Sequence, residues 1–121
     1  MLDAALATTE TDDGLTLSLR IENAGPDPVT LGFRTGQRAE FTAYPAGEGP
    51  AGPDGDRAEA VWRYGAERAF TQALGSETLA PGEGVSYEVT WRSPPPGTYR
   101  VVGESAATDR DVRAATVVTV A

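Results

Sequence analysis

The chain has 121 residues, which is enough for one domain with one hydrophobic core, and we expect a single domain over residues 1–121. It contains neither cysteine nor histidine, so disulfides, thiolate nucleophiles, imidazole bases and zinc sites of the nitrogen–sulfur type are excluded. We therefore expect no enzymatic activity, no cofactor and no metal ion.

The net charge is −8, and all ten basic residues are arginine. No basic stripe runs along the sequence, so binding to the phosphates of nucleic acids is not expected. The acidity is explained either by solubility or by adaptation to a cell interior of high salt, and both explanations stay open. The segment MLDAALATTETDD at 1–13 has neither the basic start nor the apolar run of a signal peptide or a membrane span. The expected location is the cytoplasm.

Strict alternation of apolar and polar residues predicts a half-buried strand in GLTLSLRIEN, with Leu15, Leu17, Leu19 and Ile21 facing the core. The segment NAGPDP at 23–28 ends this strand, because two prolines and a glycine cannot continue a ladder. The residues before it, LDAALATT, are a candidate for a further edge strand.

Two more alternating segments follow, on either side of TGQR at 35–38. This segment predicts a two-residue hairpin with Gly36 in the positive-φ position of a type II′ turn. The inward residues of the two strands are Val29, Leu31 and Phe33 before the turn, and Ala39, Phe41 and Ala43 after it.

The chain then enters a long loop at 45–58, which contains four glycines and three prolines. A clear strand comes later in VSYEVTW, preceded by APGE at 80–83, a sequence typical of a type II turn. The stiff connector SPPPG at 93–97 leads to two final strands, TYRVVGESA and RAATVVTVA. Seven or eight short strands at these spacings predict an all-β, antiparallel sandwich.

The segment VWRYGAERAFTQAL at 61–74 admits two interpretations. Its apolar residues fit one face of a helix, but Gly65 costs that helix about 1 kcal/mol. The same residues also fit a strand that Gly65 interrupts. Periodicity leaves the choice open.

Other groupings give weak functional signals. Asp54 and Asp56 suggest a calcium loop, but Gly65 stands where the pattern needs a bidentate glutamate, so a solvated turn is the better interpretation. The aromatic residues are most simply assigned to the core of a sandwich of this size.

Four segments in order resemble the BsuPI-type intracellular proteinase inhibitor domain. They are IENAGPDPVTLGFRTGQRAEFTAY, VWRYGAERAFTQAL, LAPGEGVSYEVTW and PPPGTYRV, which together span about residues 15–104. The chain departs from the family at Gly65, where serine is more usual, and in its expanded loop at 45–58. The resemblance favours a strand, a glycine break and a second irregular or β segment for 61–74. Trp62 and Phe70 would then be core anchors, and Gln72 would be held by backbone partners.

The resemblance implies an immunoglobulin-like sandwich that inhibits an intracellular subtilisin-type serine protease. A β-sandwich can do this by inserting an exposed loop into the protease cleft. The alternative is a structural or protein-interaction module with no inhibitory activity. Three exposed segments could contact a protein partner: the turn at 35–38, the long loop and the proline connector. The candidate residues are Gly36, Gln37, Gly47, Glu48, Pro50, Pro53, Asp54, Arg57, Pro94, Pro95 and Pro96.

Overall fold

A computed structural model of the protein describes residues 2–45, 60–67, 70, 72, 74–108 and 112–120. These residues form nine strands and one short 3-10 helix, at Tyr64–Glu67. The strands are β1 (Leu2–Thr11), β2 (Gly14–Asn23), β3 (Val29–Phe33), β4 (Ala39–Pro45), β5 (Trp62–Arg63), β6 (Gly75–Leu79), β7 (Gly84–Arg92), β8 (Gly97–Ser105) and β9 (Arg113–Val120).

Every strand pairing is antiparallel. One sheet has the order β1-β2-β7, a second has the order β5-β4-β8-β9, and β3 and β6 form a two-stranded ribbon. Strand β1 also lies near β9, so the two larger sheets approach each other along one side. The all-β, antiparallel architecture predicted from the sequence is confirmed.

The core lies between the facing sheets, and the alternation of the strands explains it. The inward residues of β2, from Leu15 to Ile21, are fully buried, as are Phe41 and Ala43 of β4 and Val101 of β8. Each aliphatic side chain buried in this way contributes about 1.5–3 kcal/mol relative to an exposed one. Trp91 and Tyr99 extend the core towards one end of the sandwich.

The hairpin predicted at 35–38 is wrong. Strand β3 pairs with β6, with Val29 opposite Leu79, and β4 pairs with β8 and β5 instead. Gly36 is absent from the described residues with positive φ, which are Gly14, Gly82, Gly97 and Ser93. The physical reason is that residues 34–38 carry the chain from the ribbon to the four-stranded sheet, where the Ala106 N–H donates to the Arg38 carbonyl at 3.0 Å.

The turn predicted at 80–83 is confirmed. Gly82 has φ +81°, and the Glu83 N–H donates to the Ala80 carbonyl at 2.9 Å, which is the geometry of a type II turn. The edge strand expected near the N-terminus is also present, as β1. Strand β6 was not predicted.

The ambiguous segment begins as the two-residue strand β5, in which Trp62 lies opposite Ala43. Gly65 then lies within the 3-10 helix, so the predicted break after a short strand is confirmed. Trp62 and Phe70 are half-buried, and Trp62 packs against the core. Gln72 is exposed, and the backbone partners expected for it stay a prediction.

Candidate functional site

Five of the predicted contact residues lie in the described part of the chain, and they belong to two separate places. Gly36 and Gln37 precede β4, whereas the three prolines join β7 to β8. The six loop candidates lie outside the described residues: Gly47, Glu48, Pro50, Pro53, Asp54 and Arg57.

The pairing of β4 with β8 shows that these two places are at opposite ends of the sandwich. Ala39 lies opposite Ser105 at one end, and Pro45 lies opposite Tyr99 at the other. Six residue steps along a strand separate these pairs by roughly 20 Å. Pro45, the first residue of the loop predicted at 45–58, is therefore at the same end as the proline connector.

The connector at 93–97 is a turn that a hydrogen bond from the core stabilises. The Tyr99 hydroxyl donates a hydrogen bond of 2.6 Å to the Pro95 carbonyl. Ser93 has φ +51° and Gly97 has φ +152°, so a residue with positive φ stands on each side of the prolines. Each proline ring fixes its own φ, and Pro95 and Pro96 are exposed. The turn thus presents a pre-organised surface to solvent.

Three aromatic side chains that contact one another support this turn. The Tyr99 ring meets the Trp91 ring edge-on at 5.0 Å, and the Trp91 ring stacks on Trp62 at 5.3 Å with an interplanar angle of 13°. Tyr99 and Trp91 are both buried, so the hydrogen bond from Tyr99 to Pro95 connects the turn to the core. Such a turn can be bound without a large loss of conformational entropy.

Gln37 at the opposite end has a structural role. Its side-chain amide donates to the Ala39 carbonyl at 3.0 Å, and its backbone N–H donates to Thr35 Oγ1 at 3.1 Å. A Cβ atom on Gly65 would lie 2.9 Å from the Gln37 amide nitrogen and 2.3 Å from Glu40 Oε2. The absence of a side chain at Gly65 therefore leaves room for both groups.

Glu40 joins the 3-10 helix to β4. Its Oε1 atom accepts hydrogen bonds from the Gly65 N–H at 2.7 Å and from the Phe41 N–H at 3.0 Å. The sequence gives no signal for this contact, because 25 residues separate Glu40 from Gly65.

A cleft of about 320 Å³ lies beside Gly36, between β7 and the start of β4. Phe41, Tyr64, Phe70 and Tyr87 contribute four aromatic rings to its lining. Several of these rings contact one another: the ring centroids of Phe41 and Phe70 each lie 6.2 Å from that of Tyr64.

A hydrogen-bonded chain of three side chains borders this cleft. Arg38 Nε donates to Glu77 Oε1 at 3.2 Å, and the Tyr87 hydroxyl donates to Glu77 Oε2 at 2.9 Å. The Arg38 guanidinium also lies over the Phe33 ring at 4.3 Å. Burial raises the pKa of Tyr87 well above its usual range, and the hydrogen bond to Glu77 and that residue's negative charge raise it further. Tyr87 is therefore a neutral donor rather than a base or nucleophile.

The described residues offer no other chemistry of the kinds considered above. Within them, no three acidic side chains come close enough to hold a metal ion. Nor do they contain a helix of the length and apolar character that a membrane span requires. The calcium loop considered at Asp54 and Asp56 lies outside them.

Comparison with known proteins gives one informative match. The family model described as "BsuPI: Intracellular proteinase inhibitor" matches residues 2–110. Curated proteins give no match.

Two solved structures are similar over small parts of much longer chains. A β-glucosidase from Kluyveromyces marxianus in complex with glucose is 14% identical with a TM-score of 0.47, over 99% of this chain and 14% of the glucosidase. The β-D-glucoside glucohydrolase from Trichoderma reesei is 14% identical with a TM-score of 0.45, over 100% of this chain and 18% of the glucohydrolase. Similarity at this level supports no conclusion about function.

Proposed function

Because the chain belongs to the BsuPI family of intracellular proteinase inhibitors, we propose that it inhibits a subtilisin-type serine protease in the cytoplasm, without catalysis of its own. The family match over residues 2–110 is the observation that carries this proposal. It implies a protease as the protein partner. The lack of histidine and cysteine agrees with a role in binding rather than catalysis.

The proposed contact surface is the end of the sandwich that carries the proline turn. A tight inhibitor needs a loop that is ordered before binding, and the hydrogen bond from Tyr99 to Pro95 supports such order. Proline has no N–H, so the turn offers apolar surface and carbonyl acceptors. Hydrogen bonds of the strand type would then come from the long loop that leaves Pro45, with Gly47, Glu48 and Asp54 among its candidate residues.

The inhibitor proposal is tested by titrating the protein against an intracellular subtilisin-type protease and following cleavage of a chromogenic peptide. We expect the rate to fall in proportion to the added protein. An unchanged rate at micromolar protein would contradict the proposal for this class of protease.

The site is tested with Tyr99→Phe, which removes the hydroxyl that braces Pro95 and keeps the ring in the core. One net hydrogen bond corresponds to about 0.5–1.5 kcal/mol, so we expect the inhibition constant to rise about twofold to tenfold. Gln37→Ala at the opposite end is the matched control, and it should leave the inhibition constant unchanged. The reverse pattern would move the contact surface to the end that carries Gly36 and Gln37.

A further inference from the structure

The outer face of the four-stranded sheet has a shallow depression of about 220 Å³. We call it the arginine depression, because Arg63, Arg100 and Arg113 line it together with Thr42, Tyr44 and Glu104. The three arginines come from β5, β8 and β9, three strands that are distant in sequence.

The register of the sheet brings these side chains together. Arg63 lies opposite Thr42, Arg100 lies opposite Tyr44, and Arg113 lies opposite Glu104. None of the three arginines forms an ion pair with a carboxylate in the described residues. The Arg100 guanidinium lies over the Tyr44 ring at 5.1 Å, which holds it on this face.

The charge of the arginine depression is opposite to that of the whole chain. Three arginines and one glutamate give it a net charge of +2, whereas the chain carries −8. Solubility alone does not explain this local positive charge on an acidic chain.

Thr42 contributes a hydroxyl group to the arginine depression. It is only 4% exposed, and it lines the depression. A threonine hydroxyl on this face can donate to a bound oxygen atom.

We propose that the arginine depression binds carboxylate groups on an acidic segment of a partner protein. The planar guanidinium groups match the two oxygens of a carboxylate, and the hydroxyls of Thr42 and Tyr44 supply further donors. Charge complementarity selects aspartate and glutamate side chains as ligands. This surface lies on a sheet face, outside the proposed inhibitory turn, and its binding can be measured with no protease present.

The test uses fluorescence anisotropy of a fluorescein-labelled deca-glutamate peptide mixed with the full chain. We expect saturable binding that weakens as NaCl is raised, and no binding of a labelled deca-glutamine peptide. Arg63→Gln, Arg100→Gln and Arg113→Gln should each weaken binding about threefold or more. Thr42→Val keeps the shape of the side chain and should also weaken binding.

Arg20→Gln is the matched control, because it makes the same charge change on an exposed position of the other large sheet. It should leave the affinity for deca-glutamate unchanged. Thermal denaturation identifies any arginine variant that folds poorly. Because there are three single variants, the loss of one still leaves two that test the proposal.

Equal affinities for the control and the three arginine variants would overturn the proposal, as would equal binding of the two peptides. Binding of deca-glutamate that does not saturate would also overturn it. Failure of the protease titration with saturable peptide binding would contradict the inhibitor proposal alone.

Discussion

Asn23 is the single asparagine of the chain, and its side chain is fully buried. Its Nδ2 group donates to the Asp27 carbonyl at 2.7 Å and to the Leu79 carbonyl at 2.9 Å, and its Oδ1 atom accepts from the Gly25 N–H at 3.0 Å. Its backbone N–H and carbonyl bond to the turn at 80–83. One residue therefore joins the end of β2 to the following loop, to β6 and to the turn before β7.

We predict that Asn23→Ala lowers the free energy of unfolding by about 2–4 kcal/mol, because the carbonyls of Asp27 and Leu79 lose their donor inside the protein. Urea denaturation followed by circular dichroism measures this change. Thr30→Val, which removes an exposed hydroxyl from a cross-strand hydrogen bond, should cost about 0.5 kcal/mol or less. Similar losses for the two variants would contradict the role given to Asn23.

At the scale of elements, β2 is the central strand of its sheet. It pairs with β1 and with β7 along nearly its whole length, and four of its side chains are core residues. It begins at Gly14, which has φ +142°. A Cβ atom on Gly14 would lie 2.2 Å from the Trp91 carbonyl oxygen, so only glycine allows β7 to approach at this point.

Gly14→Ala should therefore lower the free energy of unfolding by about 2–4 kcal/mol, since both the backbone angle and the contact with Trp91 resist a side chain. Gly82→Ala is the matched comparison. Gly82 also has positive φ, but a Cβ atom there would meet nothing within 4 Å. Its cost should be the conformational one alone, about 1–2 kcal/mol. Chemical denaturation of both variants gives the difference, and a larger loss for Gly82→Ala would refute the steric argument.

The strands could be predicted from the sequence, but their partners could not. Alternation identified the inward residues of β2, β3 and β4, because one face of each strand is buried. It does not encode which edges meet, so the predicted hairpin between β3 and β4 is wrong. Strand β6 has the sequence GSETL, which is too polar to stand out.

The same limit applies to the candidate sites. The proline turn could be found from its composition, and the resemblance to an inhibitor family was confirmed by the match over residues 2–110. The brace from Tyr99 and the meeting of Arg63, Arg100 and Arg113 depend on register across strands. Distances of this kind are not encoded in the local sequence.

At the scale of the whole molecule, negative charges outnumber positive ones. The chain has 18 acidic and 10 basic residues, and ion pairs in the described residues are few, such as Arg20 with Glu22 at 3.9 Å and Arg38 with Glu77 at 3.2 Å. Repulsion among unpaired carboxylates opposes the compact state. Salt should relieve this repulsion, which bears on the high-salt explanation of the composition.

We predict that raising NaCl from about 0.1 M to about 1 M increases the melting temperature at neutral pH, because the Debye length falls from about 10 Å to about 3 Å. A gain of about 1 kcal/mol corresponds to roughly 4 °C for a chain of this size. Thermal denaturation measures the shift. The control is the same measurement near pH 4.4, the isoelectric point, where the salt effect should largely vanish. A melting temperature that falls with salt at neutral pH would contradict this prediction.

The stacking of Trp62 on Trp91 has a consequence for spectroscopy. These are the chain's two tryptophans, and one belongs to the four-stranded sheet while the other belongs to the three-stranded sheet. With their rings nearly parallel at 5.3 Å, the electronic transitions of the two indoles couple. This coupling depends on the distance between the rings, so it is lost when the two sheets separate. The two tryptophans thus allow the docking of the sheets to be followed by spectroscopy, without a label and separately from the strand content.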